Sequence, residues 1–280
     1  MLHHTFCHVP GIGAKLERRL WDEGVRTWGD ALNSTRLPFS AGRAAQFKET
    51  VRTGVERLDQ GDTAYFYEHL PPPQYWRLFP HFRHRVAYLD IETTGLGGPD
   101  DYITTIVVYD GEDIRTYVQG DNLPDFKDDI DQYELLVTYN GKSFDLPFIR
   151  QYFRIAAPQA HIDLRHVLAA LGYRGGLKGC ERQLGMDRGL LEEVDGYFAV
   201  LLWFDFLNGG NDKALETLLA YNTLDVINLE ALMVRAFNLQ LQGTPFADQP
   251  LSEPVLPDLP FRADQGTIRR LKGRGGWRAW

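Results

Sequence analysis

With 280 residues, of which 44% are hydrophobic, the chain is long enough for one large α/β domain and a small appendage around a well-buried core. It has no uninterrupted apolar stretch of about 18 residues, no basic-then-apolar signal at its start, and two widely separated cysteines, Cys7 and Cys180. These features argue against a membrane protein, a secreted protein, a disulfide framework and a zinc site, so we expect a cytoplasmic protein without a membrane partner. The formal net charge of −8 counts against a phosphate-binding partner, but it suits a divalent-cation site, which is itself acidic.

The first 60 residues are predicted to form a small helical module, because apolar residues recur there at helical spacing. Within it, Val9-Pro10-Gly11-Ile12-Gly13 resembles the hairpin loop of a helix-hairpin-helix motif, which grips a nucleic-acid backbone without reading bases. Gly11 and Gly13 would let backbone amides approach a phosphate, and Lys15 and the two arginines after it would add positive charge. A helical hairpin that needs glycines only for its turn explains the same residues equally well.

Residues 61–84 are predicted to form a linker, because Leu70-Pro71-Pro72-Pro73 lacks amide hydrogens and favours an extended backbone. Residues 85–245 have the pattern of an α/β domain, with an Asp110-Gly111 turn between two of its strands. Strands are predicted at 86–91, 102–109, 114–118 and 135–139, and helices at about 144–155 and 213–239. The second helix has apolar residues at spacings of three and four, so we expect it to pack on the sheet.

The first acidic motif is Asp90-Ile91-Glu92 at the end of a buried strand. The period of two in a strand puts both carboxylates on one face, where their repulsion needs a cation or a raised pKa to relieve it. A divalent metal satisfies that need. A simple strand end or helix cap is an equally good explanation of this motif taken alone.

The second motif runs from Tyr139 to Asp145, where a strand is followed by a glycine turn and then by a helix with Asp145 in its first turn. An acid at a helix start also complements the helix dipole, so an ordinary capping role explains Asp145 at least as well as a functional one. The third motif is Tyr221-Asn222-Thr223-Leu224-Asp225 within the long helix. Its Tyr221 and Asp225 share a face beside a buried stripe, where an aspartate is uncommon unless it is paired or binds metal.

The order and settings of the three motifs resemble those of the DEDD exonucleases of the ribonuclease-H-like superfamily, in the subtype with tyrosine. The stretch from Asn140 to Asp145 is similar to the proofreading domains of family B polymerases, and the whole chain most resembles the YprB-like group of predicted bacterial exonucleases. The resemblance covers residues 85–240 and implies a ribonuclease-H-like mixed sheet flanked by helices. It departs from the group in two ways: members often have histidine where Tyr221 stands, and no polymerase domain follows.

The resemblance implies a two-metal site holding Mg²⁺ or Mn²⁺, which suit all-oxygen ligands. Asp90 would bridge both ions, Glu92 and Asp225 would complete the ligands of the first, and Asp145 would serve the second. Tyr221 would orient the attacking water, because a phenol with a pKa near 10 is a poor base.

Contacts with nucleic acid are expected at the loops around these acids, from Thr94, Leu96, Asn140, Lys142 and Phe144. Leu96 would wedge between terminal bases, although a packed leucine is the more ordinary interpretation, and Lys142 would meet a phosphate. Asp163 follows another short apolar run and is predicted to cap a helix, with a fifth acid of the site as the alternative.

Residues 246–280 are predicted to form an extended or mobile tail, proline-rich at first and then basic. From Arg262 onward it carries six basic residues against Asp264, with tryptophans that could stack on single strands, and a solvated tail is the better-supported alternative. The sequence thus predicts a metal-dependent 3′-to-5′ exonuclease, with single-stranded DNA slightly preferred over RNA. The alternatives are a structure-selective endonuclease or ribonuclease and a non-catalytic nucleic-acid-binding protein.

Overall fold

A computed structural model gives the fold and describes residues 1–274. Its centre is a sheet of five strands. In chain order these are β1 (Val86–Thr93), β2 (Ile103–Tyr109), β3 (Ile114–Val118), β4 (Leu135–Thr138) and β5 (Ala160–Asp163). The four strands predicted from the sequence are present to within two residues at each end, and β5 ends at the predicted capping residue, Asp163.

The strand order is β3-β2-β1-β4-β5. β1, β2 and β3 are antiparallel neighbours, and the turn between β2 and β3 contains Gly111 at a φ of +99°, a conformation that favours glycine. β1, β4 and β5 are parallel, so their carboxyl ends lie at the same edge of the sheet. This mixed sheet flanked by helices confirms the predicted fold class.

Helices cover both faces of the sheet and build the N-terminal region. The α-helices are α1 (Ala14–Asp22), α2 (Trp28–Asn33), α3 (Ala41–Asp59), α4 (Thr63–His69), α5 (Phe79–Phe82), α6 (Phe126–Asp129), α7 (Asp145–Phe153), α8 (Leu164–Ala170), α9 (Gly176–Gln183), α10 (Gly196–Gly209), α11 (Asp212–Gln242) and α12 (Gln265–Arg274). Within residues 1–274, no helix has the length and apolar character that a bilayer crossing requires.

The long helix α11 lies on one face of the sheet, as predicted. Its Val226, Leu229 and Met233 share an apolar core with Tyr88 and Val137 of the sheet. Side chains alternate along a strand, so Asp90 and Glu92 lie on the same face of β1 as Tyr88 and are directed towards α11. The opposite face is covered by α6 and α7.

The structure corrects the prediction that residues 61–84 form an extended linker. The backbone is extended at Leu70 and Pro71, but Pro72–Leu78 form a 3-10 helix that continues into α5. Proline is compatible with the first turn of a helix, because the amide hydrogens of that turn have no partner within the helix. Trp76 and Phe79 of this segment are buried in the core, so residues 61–84 pack against the rest of the molecule instead of connecting two separate bodies.

The N-terminal helices share one apolar core with the sheet face under α11. The boundaries predicted for a separate N-terminal module stay a prediction. Arg18 donates to the carbonyl of Gly243 just beyond α11, and the rings of Trp21 and Phe246 lie 5.5 Å apart between their centres. The loop with Gly11 and Gly13 follows only a 3-10 turn, Leu2–His4, and therefore lacks the first helix of a complete helix-hairpin-helix motif.

The structure also corrects part of the prediction that residues 246–280 form an extended or mobile tail. Residues 247–263 lack regular structure, but α12 follows, and its Ile268 and Leu271 are buried against α10 and α11. Arg270 pairs with Asp205 of α10. Apolar packing therefore fixes a segment whose basic composition suggested mobility. The predicted stacking of Trp277 and Trp280 lies outside the described residues.

Candidate metal centre

Three acids from two elements converge at the edge of the sheet where β1 ends. Asp90 and Glu92 come from β1, and Asp225 comes from α11. Carboxylate oxygens of the three all lie within 4.8 Å of one another, and Glu92 and Asp225 are buried. Oxygen ligands at this spacing suit a divalent cation.

Asn222 of α11 fixes the orientation of Asp90. Its side-chain amide donates to Oδ2 of Asp90 at 2.7 Å, and its carbonyl accepts from the hydroxyl of Thr105 on β2 at 3.0 Å. The amide therefore ties the two antiparallel strands to the helix. One oxygen of Asp90 remains for another partner.

Asp145 lies beside these acids at the start of α7. Its Oδ1 accepts from the backbone amide of Ile91, which lies between Asp90 and Glu92 on β1, at 3.3 Å. Phe144, the residue that caps α7, makes no side-chain capping bond. The carboxylate of Asp145 thus contacts the neighbouring strand as well as its own backbone amide at the start of α7.

A buried ion-pair network lies behind Asp225. Arg188 donates to Oδ1 of Asp225 and makes two bonds, of 2.9 and 2.7 Å, to the carboxylate of Glu181. Asn228 donates to Glu181 at 2.7 Å. The side chains of Arg188 and Glu181 are fully buried. One arginine is therefore shared by two carboxylates, and it bonds to only one of the two oxygens of Asp225.

Tyr221 precedes Asp225 by one helical turn and is 6% exposed. The guanidinium of Arg188 and the ammonium of Lys178 each lie 5.5 Å from the centre of its ring. Burial, with the negative charges of Asp225 and Glu92, raises the pKa of Tyr221 well above its usual value. The phenol stays protonated at neutral pH and can donate a hydrogen bond, whereas it cannot serve as a base.

The acids repel one another strongly. Burial and the charges of the neighbouring carboxylates raise the pKa values of Asp90 and Glu92 well above the usual range. Burial raises the pKa of Asp145 to about 7, and it also raises that of Asp225, against which Arg188 acts in the opposite direction. A divalent cation among the oxygens would relieve this repulsion, so the donor set fits Mg²⁺ or Mn²⁺.

A model of the RNase H superfamily matches residues 87–237, more than half of the chain. The chain belongs to this superfamily. Its five-stranded mixed sheet, with acids at the end of β1 and on α11, is the part of the molecule that the match covers. Membership and the acidic cluster together support a nuclease that depends on a divalent metal.

Two individual proteins are similar to this member of the RNase H superfamily. The uncharacterized protein YprB of Bacillus subtilis (strain 168) is 30% identical, over 54% of this chain and 42% of the relative, so the chain spans less than half of that protein's length. A solved structure of the family B DNA polymerase from the hyperthermophilic archaeon Pyrobaculum calidifontis is 17% identical, with a TM-score of 0.42 over 56% of this chain and 26% of the polymerase chain.

The loop after β1 in this RNase H-like domain presents Leu96 to solvent. Leu96 is 94% exposed, so the interpretation as a packed residue is wrong. Thr94 fastens the base of the loop, since its hydroxyl accepts from the backbone amide of Tyr102 at 3.0 Å. The carboxylate of Asp101 accepts from the amides of Gly97 and Gly98 and closes the turn.

Asp163 caps α8, as predicted, and also fixes the loop between β4 and α7. Its carboxylate accepts from the backbone amides of Asn140 and Lys142 at 2.8 and 3.1 Å, in addition to the capping bond from Arg165. The Lys142 side chain is exposed, whereas Phe144 is half-buried and packs against the sheet. Asp163, at the end of β5, thereby fixes the loop that leads to Asp145 at the start of α7.

The structure does not bring the Gly11, Gly13 and Lys15 loop against the acids. The helix that follows this loop packs near the C-terminal end of α11, and Asp225 and Gln242 lie about 25 Å apart along that helix. Any contact of the loop with nucleic acid would involve a part of the substrate remote from the acidic cluster.

Sequence reasoning missed the residues that support the acids. Arg188 and Glu181 lie in a region without a recognisable motif, and each is only one charged residue among many. Asn222 had a detectable signal, because it lies within the Tyr221-to-Asp225 motif and three residues before Asp225, on the same side of a helix.

Proposed function

We propose that this chain is a DEDD exonuclease of the tyrosine subtype, which removes nucleotides in the 3′-to-5′ direction and prefers single-stranded DNA slightly over RNA. One observation carries the proposal: oxygens of Asp90, Glu92 and Asp225 lie within 4.8 Å of one another, with Tyr221 one helical turn before Asp225 on α11. Membership in the RNase H superfamily is consistent with it.

Each side chain of the cluster has a task in this mechanism. Asp90, Glu92 and Asp225 would hold two ions of Mg²⁺ or Mn²⁺, with Asp145 as a further ligand. The bound ions would supply an acidified water and compensate the charge that develops on the leaving oxygen. Arg188 holds one oxygen of Asp225 and so limits the rotation of its carboxylate.

Tyr221 acts on the attacking water by orientation. Its hydroxyl would keep its proton and donate a hydrogen bond to that water, so the phenol would fix the direction of attack without removing a proton. The ring is held between α11, Arg188 and Lys178, which limits its rotation. Replacing Tyr221 by phenylalanine should therefore lower turnover and leave metal binding in place.

The deciding experiment uses the purified 280-residue chain with Mn²⁺ or Mg²⁺ on strands labelled at the 5′ or the 3′ end. A 3′-to-5′ exonuclease converts the 5′-labelled strand into a ladder and releases mononucleotides at once from the 3′-labelled strand. Single-stranded and duplex DNA and RNA are compared in parallel. Cleavage of closed circles would instead indicate an endonuclease, and binding without hydrolysis would indicate a non-catalytic protein.

A matched pair of variants tests the site itself. Glu92→Gln removes a carboxylate of the cluster, whereas Glu112→Gln makes the same change at an exposed position in the β2–β3 turn. We expect loss of metal-dependent hydrolysis in the first and unchanged turnover in the second. Full activity of Glu92→Gln would refute the proposed site.

A further inference from the structure

We propose that a groove beside the metal centre binds a phosphate and a base of the same nucleic-acid strand whose phosphodiester lies at the acids. This inference rests on the proposed function, because it assigns a second part of the substrate to a second surface. The groove has a volume of about 450 Å³ and lies between the end of β4 and the start of α9. Tyr139, Asn140, Arg165, Tyr173 and Arg174 line it, and we call it the basic groove.

The charge of the basic groove is opposite to that of the whole chain. Its lining contains two arginines and no carboxylate, in a protein of net charge −8. The Arg174 side chain is exposed and has no ion-pair partner among residues 1–274. Arg165 donates from one nitrogen to Oδ1 of Asn140, which leaves most of its five N–H donors available. Guanidinium groups with unused donors suit a phosphate.

Aromatic rings lie beside these charges. Tyr139 and Tyr173 are both half-buried and both line the groove. The hydroxyl of Tyr139 lies 3.6 Å from the Sγ of Cys180 on α9, which joins the two walls. A cationic groove with aromatic side chains is the arrangement by which proteins bind single strands without reading their sequence, through phosphate contacts and base stacking.

Both walls of the groove continue along the chain to residues at the acidic cluster. Asn140 precedes Asp145 by five residues, and its backbone has a left-handed φ of +68°, held by Asp163 and Arg165. On the other wall, α9 begins at Gly176, and two residues later its Lys178 contacts the ring of Tyr221. A strand that follows the groove would therefore pass between the loop that positions one acid and the helix that contacts the tyrosine.

A larger cavity of about 510 Å³ lies at the opposite end of the sheet, and its lining differs from that of the basic groove in charge. It also contains arginines, but Asp110, Glu112 and Glu230 line it as well. Those carboxylates offset the positive charge, so this cavity does not offer a phosphate site. The basic groove differs from it in having cations without acids.

The test measures binding separately from hydrolysis. The full chain carrying Asp90→Asn is titrated in EDTA against a fluorescent single-stranded DNA of twelve thymidines, by anisotropy, over a series of salt concentrations. Because no metal or turnover is needed, a failure of the proposed nuclease activity leaves this measurement intact. The variants Arg165→Ala and Arg174→Ala are combined in this background.

We expect the double variant to bind more weakly and to reduce the slope of log K against log salt by about 0.7, which is the value for one single-strand phosphate that is no longer neutralised. The control combines Lys127→Ala and Arg36→Ala, two exposed cations without ion pairs in the described part of the chain. It should keep the original slope. An unchanged slope in the groove variant, or an equal loss in the control, would overturn the proposal.

A second pair of variants separates stacking from charge. Tyr173→Ala should weaken binding roughly tenfold at fixed salt without changing the salt slope, since stacking on an aromatic ring does not release counterions. Tyr173→Phe keeps the ring and should bind as the parent does. Equal affinity of the alanine and phenylalanine variants would remove Tyr173 from the site and contradict the assignment of a base to the groove. Thermal unfolding of every variant identifies any that are misfolded.

Discussion

Replacing Arg188 by methionine should severely destabilise the metal-free protein. Arg188 neutralises two carboxylates, those of Glu181 and Asp225, and all three side chains are almost inaccessible to solvent. Loss of one partner of a buried ion pair costs about 3–5 kcal/mol, because a charge is left buried without compensation. That is a large part of the roughly 5–15 kcal/mol by which a typical protein is stable.

The assay is urea unfolding of Arg188→Met in EDTA and again with saturating Mn²⁺. Manganese should restore part of the loss, because a cation at the cluster compensates Asp225 and leaves only Glu181 unpaired. Adding Glu181→Gln to Arg188→Met should recover a further part, since the glutamine still accepts from Asn228 and carries no charge.

The control for this prediction is Arg52→Met, which breaks an exposed pair with Glu49 and should change the free energy of unfolding by less than about 1 kcal/mol. A loss below about 1 kcal/mol in Arg188→Met, or a loss that neither manganese nor the second substitution reduces, would refute the reasoning. The first outcome would mean that other groups compensate the charges of Glu181 and Asp225. The second would mean that uncompensated carboxylates are not the cause of the lost stability.

Three further predictions concern stability. Asp90→Asn should raise the melting temperature of the metal-free protein at pH 8, since it removes one of several mutually repelling carboxylates; calorimetry in EDTA that gives a lower value would contradict this. Arg77→Met should cost about 3–5 kcal/mol in chemical denaturation, because it leaves buried Glu17 unpaired, and a loss under 1 kcal/mol would count against it. Burial lowers the pKa of His8 to about 4, so the folded state binds fewer protons than the unfolded state. The free energy of unfolding should therefore fall by up to about 3 kcal/mol as the pH drops from 6.5 to 4. In the same pH series, His8→Leu should show a flatter profile.

The sheet and its long helix were predictable because their signals are local. Alternation and β-branched residues marked the strands, and spacings of three and four marked α11 to within three residues of each end. The same periods placed Asp90 with Glu92 and Tyr221 with Asp225, and the fold then brought oxygens of Asp90, Glu92 and Asp225 together.

The remaining features depend on tertiary contacts that a local pattern does not contain. Pro72 and Pro73 suggested an extended linker, yet they begin a 3-10 helix that the burial of Trp76 and Phe79 stabilises. Arg188 is separated by 37 residues from Asp225, and only the fold shows that the two are paired. In the same way, Ile268 and Leu271 became recognisable as a packed helix face only once α10 and α11 were present as partners.

The contact between the start of the chain and the segment after α11 has a consequence for synthesis on the ribosome. Arg18 bonds to the carbonyl of Gly243, a residue 225 positions later, and the ring of His4 lies 4.0 Å from that of Phe246. The first helices therefore emerge long before part of the surface that buries them exists, and the contact between Trp21 and Phe246 can form only when almost the whole fold has been translated. Such distant pairings slow folding and lengthen the exposure of apolar surface, so this protein should fold largely after translation and benefit from chaperones that shield its early helices.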